Sequence, residues 1–276
     1  KEELDRASRY RESPGIPEPM TQFIVAVPFN DLETVERVLE QQGDEIATVI
    51  LEPVNFNSGG IPPQPGYLEG LRELTRKYQV LLFFDEIQTS FKKSPGGAQE
   101  DFGVTPDLCT IGKALGGGLP LSAICGPAKW MDQFKPMGEV QHSGTFNAPL
   151  PNILGGLAFH DTITASSFYP TLLARADRFY QGLTEMITRL DVPVQVPFHG
   201  ARFGLIMGLD HPPTNYEDVL GHRKDLMLAF IHACYQRGVY VHDYGGAACH
   251  HGFSIAHSNS DLDLALHVFE EALNTI

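Results

Sequence analysis

Cysteine, tryptophan and basic charge are all scarce in this chain. Its 276 residues include four cysteines and one tryptophan. Cys109, Cys125, Cys234 and Cys249 form no C-x-x-C pair, which excludes a zinc ribbon and a thioredoxin-type motif. All four sit in apolar surroundings and read as reduced core residues, the usage expected of a cytoplasmic protein. Long apolar runs are absent as well, since none approaches the ~20 residues needed to span a bilayer. The opening stretch KEELDRASRYRESPG is charged and contains no secretory apolar segment. It begins with Lys1 rather than Met, so the expectation is a processed chain or a part of something longer. Lys and Arg number 20 against 34 Asp and Glu, giving a formal net charge of −14. A field of that sign repels nucleic acid and anionic membrane surfaces, so neither is expected as a partner. An anionic ligand would need a locally positive site.

What is present is an ordinary globular composition, 42% hydrophobic and 20% charged, enough for a sizeable core. Short β-branched or apolar runs predict strands at 22–27 (QFIVAV), 46–51 (IATVIL), 80–84 (VLLFF) and 108–111 (LCTI). Between the first two, Leu32, Val35, Val38 and Leu39 share a helical face, with Asn30 and Glu33 as a capping box. Tyr67, Leu68, Leu71, Leu74 and Tyr78 recur at helical spacing after a Gly/Pro loop. Strands alternating with helices predict an α/β unit with a mainly parallel sheet. From about 151 the texture changes: helices over roughly 151–190, strand-like pieces at 194–198, 203–209 and 239–242, and a helix at 223–237 stopped by Gly238. A last helix is expected from Ser260, with Asp263 three residues on, to about 273. The division is expected near 165, with a large domain over 1–165 and a small α+β domain over 166–276.

In parallel sheets ligand groups gather at the carboxyl ends of strands. Here 46–51 ends at Glu52, 80–84 at Asp85, and 108–111 leads through Gly112 to Lys113. A lysine at the end of an apolar strand is costly if charged, and desolvation would make its amine nucleophilic. Alone, it would read as a lysine snorkelling to solvent. Asp85 alters that balance, because a carboxylate ending five apolar residues needs a partner or a task. It could be a helix cap or half of an ion pair; it could also serve a protonated ring nitrogen, with neighbouring Glu86 as the structural acid. The glycines after Lys113 suit a backbone passing close to a ligand. Ser143, Gly144 and Thr145, before a helix expected after Pro149, make either an ordinary turn or an anion site.

The runs DEIQTSF (85–91), GVTPDL (103–108) and IGKALGGGLP (111–120) resemble class III aminotransferases of pyridoxal-phosphate fold type I. ILEPVNFNSGGIPPQPGYLEGLRELTRKYQVLLFFDE (50–86) resembles the glutamate-1-semialdehyde aminomutase branch of that family. The resemblance runs from about residue 15 to 276. It implies an aspartate-aminotransferase-like large domain, incomplete at its start, and a small C-terminal domain. It also implies a pyridoxal 5'-phosphate cofactor, held by Lys113 as a Schiff base, with Asp85 at the pyridine nitrogen. Ile87 would pack on the ring, Gln88 would lie near the ring hydroxyl, and Glu52 would line the pocket. Thr145 would bind the phosphate of a neighbouring subunit, so a homodimer is implied. The function implied is amino-group transfer between an amine or amino acid and a carbonyl compound. The alternatives are an aminomutase or a non-catalytic remnant. Relatives are longer at the N-terminus, where the family's phosphate loop and stacking aromatic residue would lie. No arginine stands in VHDYGGAACHHGFSIAHS (241–258) to grip a substrate carboxylate. His242, Tyr244, His250 and His251 occupy that stretch and read as pocket-wall residues rather than metal ligands.

Overall fold

A computed structural model of the chain describes residues 13–276. After a 3-10 turn over Glu18–Phe23 comes α1 (Leu32–Gln42), whose N-cap is Asp31. The Asp31 carboxylate accepts the Thr34 N–H at 2.9 Å. Asn30, the residue expected to cap, instead sits in the left-handed region with φ 68° and donates its amide to the Pro62 carbonyl. Then follow β1 (Thr48–Leu51), α2 (Tyr67–Lys77), β2 (Leu81–Asp85), α3 (Gly97–Phe102), β3 (Leu108–Ile111) and β4 (Ala123–Cys125). The strands lie in sequence order, β1 to β3 parallel and β4 antiparallel to β3. Alternation decides which side each residue serves. Leu82 and Phe84 are fully buried with Val35, Leu39, Leu68 and Leu71, so α1 and α2 cover that face. The other face carries Ile50 and Ile124, 60% and 42% exposed, and ends in Asp85.

The second half begins with α4 (Ala128–Met131), α5 (Leu150–Ile163) and the long α6 (Phe168–Leu190). β5 (Val194–Gln195), β6 (Phe198–His199) and β7 (Arg202–Met207) follow, then α7 (Tyr216–Val219), α8 (Lys224–Gln236), β8 (Cys249–Gly252) and α9 (Asn259–Leu273). β7 is the hub: β5, β6 and β8 all pair with it antiparallel. A second buried cluster joins Phe179, Leu183, Phe203, Leu205, Met227, Phe230 and Phe269. As expected, Gly238 stops α8 at φ 82°. The last helix starts one residue earlier than predicted. Its cap is Ser258, which exchanges hydrogen bonds with Asp261 in a capping box. No described helix is long and apolar enough to cross a membrane.

Two predicted strands do not form. Residues 22–27 pair with nothing in either sheet, and Phe23 and Ile24 stay 74% and 63% exposed. Propensity without a partner strand makes no sheet. Residues 239–242 are likewise irregular, and the strand falls instead on CHHG, 249–252. The loop after β1 meets the small sheet where Gly59 faces Gly204. A Cβ on Gly204 would lie 1.7 Å from the Gly59 carbonyl oxygen, so only glycine permits that approach.

Beyond β2 the chain is tied down by Glu86, which is fully buried. Its carboxylate accepts the Ala98 N–H at 2.6 Å, the Gln99 N–H at 3.2 Å, the Gln99 side chain at 3.0 Å and the Thr89 hydroxyl at 3.1 Å. Glu86 is therefore the structural acid of the Asp85–Glu86 pair. Glu86→Ala strands these donors in the interior. Urea unfolding of the variant is expected to show a loss on the order of 3 kcal/mol.

Candidate active site

The register of β1, β2 and β3 brings their carboxyl ends to one edge. Leu51 pairs with Phe84 and Asp85 with Thr110, so Glu52, Asp85 and Lys113 each leave the sheet at that edge. Asp85 is half-buried. Its Oδ1 accepts the Ile87 N–H at 3.1 Å and the Thr110 hydroxyl at 3.2 Å. Its Oδ2 has no hydrogen bond among the described residues. One oxygen thus fixes the carboxylate and the other is free to accept a further hydrogen bond.

Lys113 opens a short 3-10 turn with φ 47°, a conformation that costs a non-glycine residue and aims it off the strand direction. Gly112 before it is packed against Ile87: a Cβ there would lie 2.8 Å from Ile87 Cδ1. The Lys113 side chain is exposed, yet its pKa is lowered. Surrounding protein is the main cause, followed by the Arg202 charge; Asp85 and Glu52 pull the other way. Glu52 is half-buried, its Oε1 bonded to the Asn57 amide at 2.8 Å and its Oε2 buried without a partner. Burial, and to a lesser degree the Asp85 charge, raises its pKa.

Gln88 is buried under this edge. Its carbonyl oxygen accepts from Arg202 Nη2 at 2.6 Å, and its amide nitrogen meets the His250 ring at 2.5 Å. Tyr244 Oη lies 3.2 Å from the same ring. Gln88, His250 and Tyr244 therefore form one group, although they come from opposite halves of the chain. Thr145 stands apart: residues 141–148 are exposed, and its side chain bonds to no other described residue. The helix expected after Pro149 does form as α5.

Sequence reasoning missed two residues. Arg202 lies outside 241–258, and only β7 carries it to Gln88. Lys92 looked like any surface lysine in FKKSPGG. Its only signal was its place just past the Asp85 run. A cavity of about 740 Å³, lined by Cys109, Ile111, Cys125, Gln99 and Glu86, is not part of this group. Cys109 pairs with Phe84 in the β2–β3 register and shares its face, so the cavity opens on the side of the sheet away from Asp85.

A parallel sheet whose ends present an acid and a lysine, followed by a small antiparallel sheet, is the architecture of fold type I aminotransferases. The chain belongs to the class-III aminotransferases: that family's model matches residues 13–273. It is 35% identical over 263 residues to a glutamate-1-semialdehyde 2,1-aminomutase of Natranaerobius thermophilus, covering 95% of this chain and 60% of that protein. Its fold matches an omega-transaminase from Sphaerobacter thermophilus at 30% identity and a TM-score of 0.86, covering 95% of this chain and 60% of that one. It also matches a glutamate-1-semialdehyde aminomutase from Pseudomonas aeruginosa, solved in complex with PMP, at 27% identity and a TM-score of 0.78. That match covers 90% of this chain and 56% of the other. The chain thus spans about 60% of the curated relative's length.

Burial sets the pH response of the histidines here. It pushes His250 down to about 4 and His251 to about 3, and lowers His222 as well. An unfolded histidine takes its proton near pH 6.5, while these resist it in the folded chain. Their contribution is complete above pH 6.5 and is lost as pH falls toward 4, at up to about 1.4 kcal/mol per pH unit for each group. Urea midpoints at pH 7, 6 and 5 should fall in that order, and His251→Asn should flatten the trend.

Proposed function

We propose that the chain is the cofactor-holding part of a pyridoxal-phosphate-dependent transaminase, with Lys113 and Asp85 at its centre. The observation carrying this reading is the pairing of Asp85, one oxygen fixed and one free, with Lys113 on the same sheet edge. The chain's residues fit the group: Lys113 would hold its aldehyde through the amine, and Asp85 Oδ2 would accept from its ring nitrogen. When bound, the cofactor supplies an electron sink that stabilises negative charge on the substrate carbon.

The rest is work for the chain. Thr110 and the Ile87 N–H keep the Asp85 carboxylate pointed in one direction. The lowered pKa of Lys113 enlarges its neutral fraction near pH 7, so Nζ can take a proton from the substrate carbon and return it nearby. Ile87, pressed on Gly112, would wall one side of the ring. Gln88 would lie at the ring hydroxyl, oriented by Arg202 and His250. Glu52, with its unpartnered Oε2, would line the pocket floor.

Thr145 would serve the phosphate of a second subunit. Its exposed loop supports that role, as do the exposed Phe146, Leu150, Leu154 and Leu157 beside it. The working unit in this reading is a homodimer. The four free cysteines support a cytoplasmic setting. A division near residue 165, into a large and a small domain, is supported by the separate buried clusters on either side. Intramolecular amino transfer, the aminomutase outcome, is the second reading. The 35% identity to a glutamate-1-semialdehyde aminomutase favours it.

The test is an absorbance spectrum with added pyridoxal phosphate, wild type beside Lys113→Ala. A near-visible band that borohydride removes in wild type, and only free cofactor in the variant, is expected. Absence of the band in wild type would sink the reading for this chain. With an amine donor, Lys113→Ala should lower transfer on the order of 10²–10⁴-fold, the worth of a positioned acid–base group. Asp85→Asn should keep the band and lose most of the rate.

A further inference from the structure

The turn between β6 and β7 is seated in the half of the chain that carries the parallel sheet. Phe198 pairs with Phe203 and His199 with Arg202, so Gly200 and Ala201 alone make the turn. Gly200 takes φ 57°, and a Cβ on it would lie 2.1 Å from the Lys92 carbonyl oxygen, so only glycine fits. That same oxygen accepts the Ala201 N–H at 3.1 Å. The Tyr180 hydroxyl donates to the Gly200 carbonyl at 2.9 Å.

At the base of the turn, His199 Nε2 lies 2.9 Å from Asp101 Oδ2, and both side chains are only 7% exposed. Asp101 belongs to α3, and the neighbouring Phe102 stacks on the His199 ring at 5.5 Å. This pair closes a circuit of contacts. Glu86 accepts the Ala98 and Gln99 N–H groups of α3. Asp101, further along α3, holds His199, and His199 stands directly opposite Arg202. Arg202 donates to Gln88, two residues beyond Glu86. Without Asp101 the buried imidazole loses its acceptor, and the turn keeps only Lys92 and Tyr180 as hydrogen-bond partners.

We propose that Asp101 and His199 are positioning residues: by seating the β6–β7 turn on α3 they set Arg202 against Gln88 and so fix the direction of the Gln88 amide. Arginine can only donate, so it takes the carbonyl oxygen of Gln88. The amide nitrogen then faces His250, with a second N–H to spare. A Gln88 released from Arg202 can turn over and present its oxygen instead. The inference rests on the transaminase reading only for what that N–H would meet, the ring hydroxyl of the cofactor.

The test uses Asp101→Leu, His199→Phe and Asp101→Asn. Asp101→Asn keeps an acceptor for His199, and His199→Phe keeps the stack on Phe102, so the latter is readable even if Asp101→Leu folds poorly. In cofactor-free protein, NMR should show Ala201 N–H exchange roughly tenfold faster in Asp101→Leu and in His199→Phe, the worth of one buried hydrogen bond. The side-chain amide resonances of Gln88 should shift in both, and Asp101→Asn should stay near wild type. With pyridoxal phosphate added, the pH midpoint of the visible band should rise by about half a unit in Asp101→Leu, because a hydrogen bond to the ring oxygen favours its anion. The same change made in Gln88→Ala should add no further rise. Arg72→Leu breaks a different ion pair, with Asp107, and should lower stability while leaving these readouts in place. Unchanged Gln88 amide resonances in Asp101→Leu and His199→Phe would overturn the proposal, as would a midpoint shift that persists when Gln88 is already alanine. Absence of the visible band in wild type would sink the transaminase reading alone, since exchange and amide resonances are read without cofactor.

Discussion

Everything at the candidate site depends on the in-register parallel pairing of β1, β2 and β3. Because the three strands run the same way, their carboxyl ends lie side by side, and Glu52, Asp85 and Lys113 emerge together. An antiparallel neighbour would have sent one of them to the far end. Pleat then separates the roles. Phe84 and Cys109 face the helices, while Asp85 and Thr110 face the open side, where the Thr110 hydroxyl fixes one oxygen of the carboxylate. A one-residue slip would have buried Asp85 under α1 and α2 and turned Phe84 outward.

The two acids at the end of β2 show how strongly surroundings decide function. Asp85 and Glu86 are adjacent in sequence. Glu86 is enclosed by donors from Thr89, Ala98 and Gln99 and has no capacity left for a ligand. Asp85 keeps one free oxygen on the open face. Burial with full hydrogen bonding makes a structural carboxylate; partial bonding at a strand end leaves one that can still take a partner.

The small sheet completes the site from the other half of the chain. Gly59 and Gly204 let the two backbones touch, and β7 and β8 then deliver Arg202 and His250 to Gln88. That contact binds residues separated by more than a hundred positions into one hydrogen-bonded group. It also brings the Arg202 charge to bear on Lys113, adding to burial in lowering its pKa, while Asp85 and Glu52 pull the other way.

By itself the sequence determined the three parallel strands of the large sheet and the residues at their ends. The apolar runs before Asp85 and Lys113 are continuous, and the flanking motifs are specific enough to name a family. The sequence also marked the stop of α8 and, to within one residue, the start of α9, because Gly238 and a serine–aspartate cap act within a few residues; the cap is Ser258–Asp261 rather than the expected Ser260–Asp263. Tertiary structure alone decided the rest. Residues 22–27 have strand propensity but no partner, whereas Cys249–Gly252 has little propensity and pairs with β7. Arg202 and Lys92 carry no local mark of function. Arg202 reaches the Gln88 carbonyl oxygen only because β7 carries it there.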